Sequence, residues 1–320
     1  MFKISEINRW FNLKVLVTGG LGSLGKHVCE AIIKSNHEPI AFDLLNKITK
    51  KLANETPEIQ VKFGNITQPE TYRDLIHEVD AIIHMAFILP PVSETHPKAY
   101  EINVEGTKNL IKAVEEINPR IRFIFASSIT VFGPTMWSEP PITVEKPINP
   151  TDNYSTHKAL CEIAIQESKL EDWVILRIAE AMYLNFSLSP ENLNRMYEIP
   201  YDQRVEFIHP HDVATAFTNA AISPNKGSKE IFIIGGGESC QMYFHEQVEK
   251  IFTIFNLPKP EKEKFSTKVF NTDWYDTTRA QELFEFQSKD FNDYLVDFEE
   301  NAGRVKDIIR FFAPVAKYFI

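Results

Sequence analysis

The sequence predicts an α/β fold in which a doubly wound parallel sheet is followed by a smaller, irregular C-terminal region. Strand and helix patterns alternate over 14–177, and helices of this length between strands imply right-handed crossovers and parallel pairing. Four of the 12 glycines cluster directly after the first predicted strand. Beyond residue 177 the pattern becomes irregular, so we expect that part to complete the sheet in places and to bind substrate.

The predicted elements follow in chain order. Short apolar runs predict strands over 14–18, 39–43, 60–63, 80–84, 122–126 and 173–177. Apolar residues at helical spacing predict helices over 23–34, 45–53, 67–79 (with Thr67 as N-cap), 99–117 and 154–170. Short elements near 205–208, 212–221, 230–234 and 244–255 precede a polar loop over 256–275 and a last helix over 289–312.

This pattern predicts four segments. We expect an N-terminal extension over 1–13, a sheet-forming domain over 14–177, a mixed segment over 178–303 and an apolar, basic tail over 304–320. Basic amphipathic ends of this kind can lie on an anionic membrane surface; the alternative is that both ends pack on their own domain or on a second subunit.

The composition excludes several classes of function. Among the 320 residues, 34 Lys and Arg oppose 44 Asp and Glu, an acidic balance that disfavours nucleic-acid binding. The three cysteines lie far apart, which disfavours disulfides and zinc and suits a reducing cytosol. There is no apolar run of about 18 residues and no apolar signal-peptide core. We therefore expect a cytoplasmic location.

The glycine cluster predicts a dinucleotide-binding turn. Thr18-Gly-Gly-Leu-Gly-Ser-Leu-Gly25 satisfies G-x-G-x-x-G between a strand and a helix, where glycines permit positive φ and close approach to a pyrophosphate at the helix N-terminus. Asp43 ends the second strand, where a carboxylate accepts the ribose hydroxyls and repels a 2′-phosphate, which favours NAD over NADP. An ordinary turn beside a solvated Asp43 is the alternative. The expected cofactor contacts are Gly19, Gly22, Ser23, Leu24, Gly25 and Asp43.

A tyrosine and a lysine predict acid–base chemistry. Tyr154 and Lys158 are separated by four positions and share a helix face, where an ammonium stabilises tyrosinate and makes the phenol usable near neutral pH. Ser128 follows the fifth strand, at the edge of the sheet where this architecture binds ligands, so its hydroxyl can hold a substrate oxygen next to Tyr154. A surface pair is the alternative, because Y-x-x-x-K is common.

Together these motifs resemble the extended short-chain dehydrogenase/reductase superfamily, in its NAD-dependent epimerase/dehydratase branch. The matching segments are TGGLGSLG, GNIT, HMAF, NVEGTKNL, ASSITVFG, YSTHK, VILR, FIHPHDVA, IFIIGGGES and DTTRAQELFEF. The resemblance implies a Rossmann-type NAD-binding domain with Ser128, Tyr154 and Lys158 as the catalytic residues. Tyr154 would exchange a proton with the substrate, and Lys158 would also hold the nicotinamide ribose. Further cofactor contacts are implied for Asn65, Ile66, Met85, Ala86, Phe87, Asn103, Ile178 and Tyr154 itself.

Departures from the family pattern restrict the substrate. Ile129 stands where dehydratases of the branch carry an acidic residue, so dehydration is not expected. The segment from Arg177 to Arg204 is short, with one further arginine, Arg195, which favours a smaller or less charged substrate than a nucleotide sugar. For Glu180 a structural or solvent-facing position is the alternative to a substrate contact. The expected substrate contacts are Phe87, Ile88, Ser128, Thr130, Glu180, Met182 and Arg204.

Three hypotheses of function follow. The first is an NAD-dependent oxidoreductase that acts on a secondary alcohol or ketone, the second a nucleotide-sugar 4-epimerase, and the third a non-catalytic NAD-binding sensor or scaffold. A small-molecule substrate and a homodimer are expected. No metal is expected, because the His209 and His211 pair has no third ligand nearby. The glycines of 235–237 predict a turn rather than a phosphate loop.

Overall fold

The structure is a computed structural model that describes residues 12–182 and 190–316. Its strands are β1 Lys14–Thr18, β2 Glu38–Asp43, β3 Gln60–Phe63, β4 Ala81–His84, β5 Arg122–Ser128, β6 Trp173–Ile178, β7 Glu180–Ala181, β8 Arg204–Ile208, β9 Glu230–Ile234 and β10 Gln241–Tyr243. Seven of them form one sheet in the order β3-β2-β1-β4-β5-β6-β9, and every neighbouring pair in it is parallel. The predicted α/β fold with a doubly wound parallel sheet is therefore confirmed.

Helices cover both faces of this sheet. They are α1 Ser23–Lys34, α2 Lys47–Glu55, α3 Arg73–Ile76, α4 Val92–Thr95, α5 Gly106–Ile117, α6 Asn153–Gln166, α7 Pro190–Tyr197, α8 Pro210–Ile222, α9 Phe244–Ile254, α10 Thr278–Phe284 and α11 Phe291–Ala316. Alternate strand residues point to opposite faces, so Val15 and Val17 join the core beneath α1 and α8, whereas Leu16 joins the core beneath α5 and α6. Burial on both faces explains why the strands read as continuous apolar runs.

The C-terminal half adds a small second sheet in the order β10-β8-β7. β7 begins only two residues after β6 ends, so this sheet starts at the carboxyl edge of the large one. A separate apolar cluster, which includes Phe207, Phe252 and Phe298, packs β8, α9 and α11 together. The irregular region is thereby held beside the edge where ligands bind in this architecture.

Several predicted element bounds were wrong. No helix spans 67–79: a 3₁₀ turn over Pro69–Thr71 precedes the short α3, because Thr67 donates to the Asn65 side chain instead of capping a helix. The helix predicted over 99–117 begins with a π-helical turn over Glu101–Glu105. The last helix breaks at Gly303, where φ is +48°. The sequence patterns did not predict α4, α7, β7 or β10.

The two amphipathic ends, for which membrane contact was one alternative, lie partly outside the described residues, namely at 1–11 and 317–320. Over 12–182 and 190–316, no helix is long and apolar enough to cross a membrane. Two described cations of the tail bind the protein's own groups: Lys306 and Arg310 pair with Glu299, and Arg310 also donates to the Ile254 carbonyl at 2.6 Å. The pairs with Glu299 lie within α11 itself, whereas the contact of Arg310 with the Ile254 carbonyl of α9 favours packing of the tail on its own domain.

Candidate active site

A cavity of about 650 Å³ runs along the carboxyl ends of the central strands. It passes from the glycine turn after β1, past the ends of β2 and β4, to the end of β5 and the first turns of α6. Its lining contains all but two of the predicted cofactor contacts and all three predicted catalytic residues: Gly19, Gly22, Ser23, Leu24, Gly25, Asp43, Ile66, Met85, Ala86, Phe87, Ser128, Tyr154, Lys158 and Ile178.

The glycine turn is built by close backbone approach. Gly19 has a φ of +71°, and a Cβ on Gly25 would stand 2.1 Å from the Gly19 carbonyl oxygen. A Cβ on Gly20 would stand 2.8 Å from Ala41 on β2. Gly22 precedes α1 and provides no side-chain cap, so the first N–H groups of the helix face the cavity as an anion site. These features are what a pyrophosphate requires.

Asp43 stands beside this turn at the end of β2. Its carboxylate accepts the backbone N–H of Leu21 at 3.1 Å and that of Leu44 at 2.8 Å. Burial raises the pKa of Asp43, and the two backbone hydrogen bonds oppose this rise. The carboxylate thus holds the glycine turn in place while bordering the cavity.

A buried histidine orders the loop after β4. The Thr18 hydroxyl lies 2.7 Å from His84 Nδ1, and the Thr107 hydroxyl lies 2.8 Å from His84 Nε2. Burial lowers the pKa of His84 to about 3, with a contribution from Lys158, so the ring is neutral. Thr107 donates to the Asn103 carbonyl at 2.6 Å, which leaves Nε2 to donate to Thr107 and Nδ1 to accept from Thr18.

Thr18 in turn fixes the two residues that follow the histidine. Its hydroxyl oxygen accepts the backbone N–H groups of Met85 and Ala86, each at 3.2 Å, and both residues line the cavity. His84 was not among the predicted site residues, although it begins the HMAF segment. The sequence signal that could have pointed to His84 is its position as the one polar residue of β4, directly after three apolar residues.

Two predicted cofactor contacts do not line the cavity. The side chain of Asn65 accepts from the backbone and hydroxyl of Thr67, both at 3.0 Å, and so shapes its own loop. Asn103 is fully buried and binds the backbone of Ile88 in both directions, accepting its N–H at 2.7 Å and donating to its carbonyl at 3.1 Å. The structure therefore places Asn103 behind the cavity wall.

The catalytic end of the cavity holds Ser128, Tyr154 and Lys158. The Lys158 side chain is buried and donates to the Ala126 carbonyl at 2.5 Å. Its Nζ lies 5.7 Å from the centroid of the Tyr154 ring. Burial lowers the pKa of Lys158 to about 7. The Ser128 oxygen accepts the N–H and the hydroxyl of Thr130, at 3.2 and 3.0 Å.

Helix α6, which carries the tyrosine and the lysine, is anchored at both ends. At its start Asp152 accepts the N–H of Ser155 at 2.7 Å, and Glu94 accepts the N–H of Tyr154 at 3.2 Å. Two turns further on, Glu162 forms a buried ion pair with Arg177 of β6 at 2.8 Å. Such clamps fix the helix against the sheet, since breaking a buried pair costs about 3–5 kcal/mol. Neither Glu94 nor Glu162 was among the predicted site residues.

A second cavity of about 240 Å³ adjoins the first. The two share Ser128, Ile178, Ala179 and Ala181. Of the predicted substrate contacts, Phe87 and Ile88 line the large cavity, Thr130 and Glu180 line the small one, and Ser128 lines both.

Two predicted substrate contacts line neither cavity. Arg204 forms an ion pair with the buried Asp273 at 2.5 Å and donates to the carbonyls of Met136 and Ser138, both at 3.0 Å. The guanidinium is therefore committed to the protein. Met182 accepts a hydrogen bond from a glutamine of α9 at 3.3 Å and packs on the C-terminal cluster.

The two remaining motifs, the His209 and His211 pair and the glycines of 235–237, contact side chains of the protein itself. His209 lies 3.2 Å from Asp297, and over 12–182 and 190–316 no cluster of three or more His, Cys, Asp or Glu is suited to hold a metal ion. In the glycine segment 235–237, the N–H of Gly237 donates to the buried Glu206 at 3.1 Å, and a Cβ on Gly235 would stand 2.1 Å from the same carboxylate. The glycines thus make room for Glu206.

The residues of the large cavity fit a dinucleotide. The glycine turn packs closely on its own backbone and carries no side chain at Gly22, where it borders the cavity. Helix α1 begins there with N–H groups that no side chain caps, and Asp43 offers an acceptor for ribose hydroxyls. Apolar side chains complete the walls.

Comparison with known proteins also indicates a dinucleotide cofactor, namely NAD. The NAD dependent epimerase/dehydratase family model matches residues 15–235. D-erythronate dehydrogenase of Haemophilus influenzae is 33% identical over 167 residues, which cover 51% of this chain and 52% of the relative. UDP-glucose 4-epimerase of Bacillus subtilis is 29% identical over 170 residues, which cover 50% and 49%. The chain spans about half the length of the curated relatives it matches.

Solved structures share the fold over nearly the whole chain. A short-chain dehydrogenase/reductase superfamily protein from Agrobacterium tumefaciens with bound NAD has a TM-score of 0.73 at 19% identity, covering 93% of this chain and 99% of the other. UDP-glucuronic acid 4-epimerase from Bacillus cereus, in complex with UDP-glucuronic acid and NAD, has a TM-score of 0.75 at 19% identity, with 92% and 100% covered. With a family model that matches well over half of its length, the chain belongs to the NAD-dependent epimerase/dehydratase family.

Proposed function

We propose that this protein is an NAD-dependent oxidoreductase that interconverts a secondary alcohol and a ketone. The observation that carries the proposal is the continuity of one cavity from the glycine turn and Asp43 to Ser128, Tyr154 and Lys158. NAD supplies the hydride acceptor for the substrate carbon when it is bound. The turn and Asp43 would hold its pyrophosphate and a ribose.

Ser128 is set up to donate a hydrogen bond to the substrate oxygen. Its Oγ already accepts from the N–H and the hydroxyl of Thr130. A serine hydroxyl has one proton to give, and these two bonds use only its acceptor sites. The proton of Ser128 is therefore available for a substrate hydroxyl or carbonyl oxygen.

Tyr154 would take the hydroxyl proton during oxidation and return it during reduction. A nearby ammonium favours the tyrosinate that this transfer creates, and Lys158 provides one from the next helical turn. With a pKa near 7, Lys158 is close to the balance between its charged and neutral forms at neutral pH. The resemblance to the family also implies that Lys158 binds a hydroxyl group of the nicotinamide ribose.

The direct test is a substrate panel with NAD, read by NADH absorbance. Secondary alcohols should be screened as small hydroxy acids, polyols and sterols, with the corresponding ketones tested in the NADH-consuming direction. Net NADH formation with one class supports the oxidoreductase. Failure of every alcohol and ketone to change NADH would overturn it.

A nucleotide-sugar 4-epimerase is the second candidate, because several curated relatives carry that name at 29–32% identity. The same serine, tyrosine and lysine would then oxidise and re-reduce one carbon. Chromatography of UDP-glucose incubated with the enzyme distinguishes the two, since an epimerase yields UDP-galactose without net NADH. The hypothesis of a non-catalytic sensor instead predicts that NAD binds without net NADH formation and without conversion of UDP-glucose to UDP-galactose.

We also propose that the protein is a cytoplasmic homodimer, as expected from the sequence. Light scattering after gel filtration tests the dimer, and fractionation of cells tests the location. A monomeric mass, or recovery in the membrane fraction, would contradict the respective proposal.

A further inference from the structure

Three acidic side chains near the active site have very different surroundings. Glu162 is buried and pairs with Arg177. Glu206 is buried and accepts the N–H groups of Tyr275 and Gly237 and the amide of Gln241. Both satisfy the rule that a carboxylate removed from water needs partners. Glu180 begins β7, two residues after the end of β6, and lies half-buried on the wall of the small cavity with fewer partners than either of them.

Glu180 has one partner among the described residues. Gln247 of α9, itself 1% exposed, donates to Oε2 of Glu180 at 3.1 Å. The same amide reaches the sulfur of Met182 at 3.3 Å, so Gln247 is held in place and fixes the orientation of the carboxyl group. No other donor from 12–182 or 190–316 reaches the carboxylate. Burial raises the pKa of Glu180 to about 7, as it does for Glu206, since neither carboxyl group has a cationic partner; the difference between them is that Glu180 lines a cavity.

The surroundings of Glu180 also lack positive charge. None of the described residues that line the small cavity is a lysine, arginine or histidine. Between Ile178 and Gln203 the sequence contains one cationic residue, Arg195, whose side chain is exposed. The next one, Arg204, is committed to Asp273. A phosphate or carboxylate bound in this cavity would lie near the Glu180 carboxylate, and none of the described lining residues is a cation that could neutralise it.

The cavity is also small and partly polar. Its volume of about 240 Å³ corresponds to roughly eight water molecules at ~30 Å³ each, which is enough for a short sugar or polyol chain. Hydroxyl groups of Ser128 and Thr130 line it together with the apolar Ile199 and Val205. Because Ser128 lines both cavities, a substrate whose reacting oxygen lies at Ser128 can extend directly toward Glu180.

We propose that Glu180 is a specificity-determining residue that accepts hydrogen bonds from the hydroxyl groups of a neutral polyol or sugar fragment and disfavours substrates with a carboxylate or phosphate at that position. The inference rests on the proposed oxidoreductase function and names the substrate class for it. It separates this chain from relatives whose names specify an erythronate or a UDP-sugar substrate.

The test compares binding of matched neutral and anionic compounds. Polyols from glycerol to sorbitol, and the aldonic acids from glycerate to gluconate, are titrated calorimetrically into the NAD-saturated Tyr154→Phe protein, in which turnover is blocked. All titrations are made at about pH 8.5, above the raised pKa of Glu180, and are repeated with Glu180→Gln added, a change that keeps the shape of the side chain and removes its charge. Glu198→Gln is the matched control, because Glu198 is exposed and lines neither cavity.

We expect at least one polyol to bind more tightly than its aldonic acid. Glu180→Gln should reduce the preference for the polyol by about tenfold or more, the effect of losing a hydrogen bond to a charged group, and Glu198→Gln should leave it unchanged. Equal binding of both classes, preference for the acids, no binding of any polyol, or the same preference in Glu180→Gln would each overturn the inference. Failure of the proposed function is seen separately, as absence of NADH formation by the unmodified enzyme.

Discussion

The Nζ atom of Lys158 lies 3.5 Å from the centroid of the Phe87 ring. The same ring meets Tyr154 edge-on, with 5.8 Å between the ring centroids, so Phe87 lies against both members of the proposed acid–base pair. An ammonium over an aromatic face is stabilised by about 2 kcal/mol when desolvated. This contact and the Ala126 carbonyl only partly replace the water that Lys158 has lost, which is why its pKa falls to about 7 from 10.5.

Lys158 should therefore make the stability of the protein depend on pH. The unfolded lysine keeps its pKa of 10.5, so between pH 7 and 10.5 the unfolded chain binds more protons than the folded chain. Stability then rises with pH across that window, by about 2–4 kcal/mol from this residue. Urea unfolding at several pH values should show a weaker rise in Lys158→Met.

A matched control separates this effect from general alkaline behaviour. Lys112 lies on α5 with an exposed side chain, and Lys112→Met should keep the pH dependence of the unmodified protein. If Lys158→Met and Lys112→Met unfold with the same pH dependence, burial of the Lys158 ammonium does not contribute to it.

Tyr154→Phe should remove turnover and leave the fold intact. Positioned acid–base groups contribute about 10²–10⁴-fold to rate, so we expect kcat to fall by at least about 100-fold. NADH should still bind, as measured by its fluorescence, because the glycine turn and Asp43 are untouched. Tyr100→Phe is the control, since Tyr100 is exposed and lines neither cavity. Residual activity close to that of Tyr100→Phe would contradict the proposed role of Tyr154.

The fold and the cofactor end of the site were predictable because they depend on local sequence. Strand β1, the glycine turn and α1 are consecutive in the chain, and their residue types are imposed by backbone geometry at Gly19 and Gly25. Tyr154 and Lys158 were found for the same reason, since a helix places them one turn apart. Each of these signals can be read within a few residues.

What the sequence did not predict depends on contacts between distant segments. Arg204 was expected to meet substrate, but the structure pairs it with Asp273, 69 positions away in the chain. Asn103 was expected to touch the cofactor, but its amide meets the backbone of Ile88. Residue type shows that such a side chain needs a partner, and only the packed fold decides which partner it finds.

Gly25→Ala should destabilise the protein far more than Gly22→Ala. A Cβ on Gly25 would stand 2.1 Å from the Gly19 carbonyl oxygen and 2.8 Å from the Gly20 Cα, whereas a Cβ on Gly22 would have only Gly19 nearby, at 3.1 Å. Overpacking of this kind costs about 1–3 kcal/mol or more, because backbone must move. Thermal unfolding should show a clear loss of Tm for Gly25→Ala and a small one for Gly22→Ala.

The two variants also separate folding from binding. Gly22 lines the cavity at the start of α1, so a methyl group there would project toward the expected pyrophosphate. Gly22→Ala should therefore weaken NADH binding while the fold survives. Unchanged NADH affinity in a folded Gly22→Ala protein would place the pyrophosphate elsewhere.

Asp43→Asn should weaken NADH binding and reduce the discrimination against NADPH. The carboxylate accepts the N–H groups of Leu21 and Leu44 with separate oxygens, and an amide has only one oxygen to offer, so the glycine turn also loses support. Loss of a charge-assisted hydrogen bond to a ribose hydroxyl predicts a Kd for NADH that rises about tenfold or more. The Kd for NADPH should rise less, because the repulsion between the carboxylate and a 2′-phosphate is removed at the same time. Fluorescence titration with both cofactors measures this ratio, with Asp74→Asn, at an exposed position on α3, as the control. An unchanged ratio of the two Kd values in Asp43→Asn would show that this carboxylate supports the turn without selecting the cofactor.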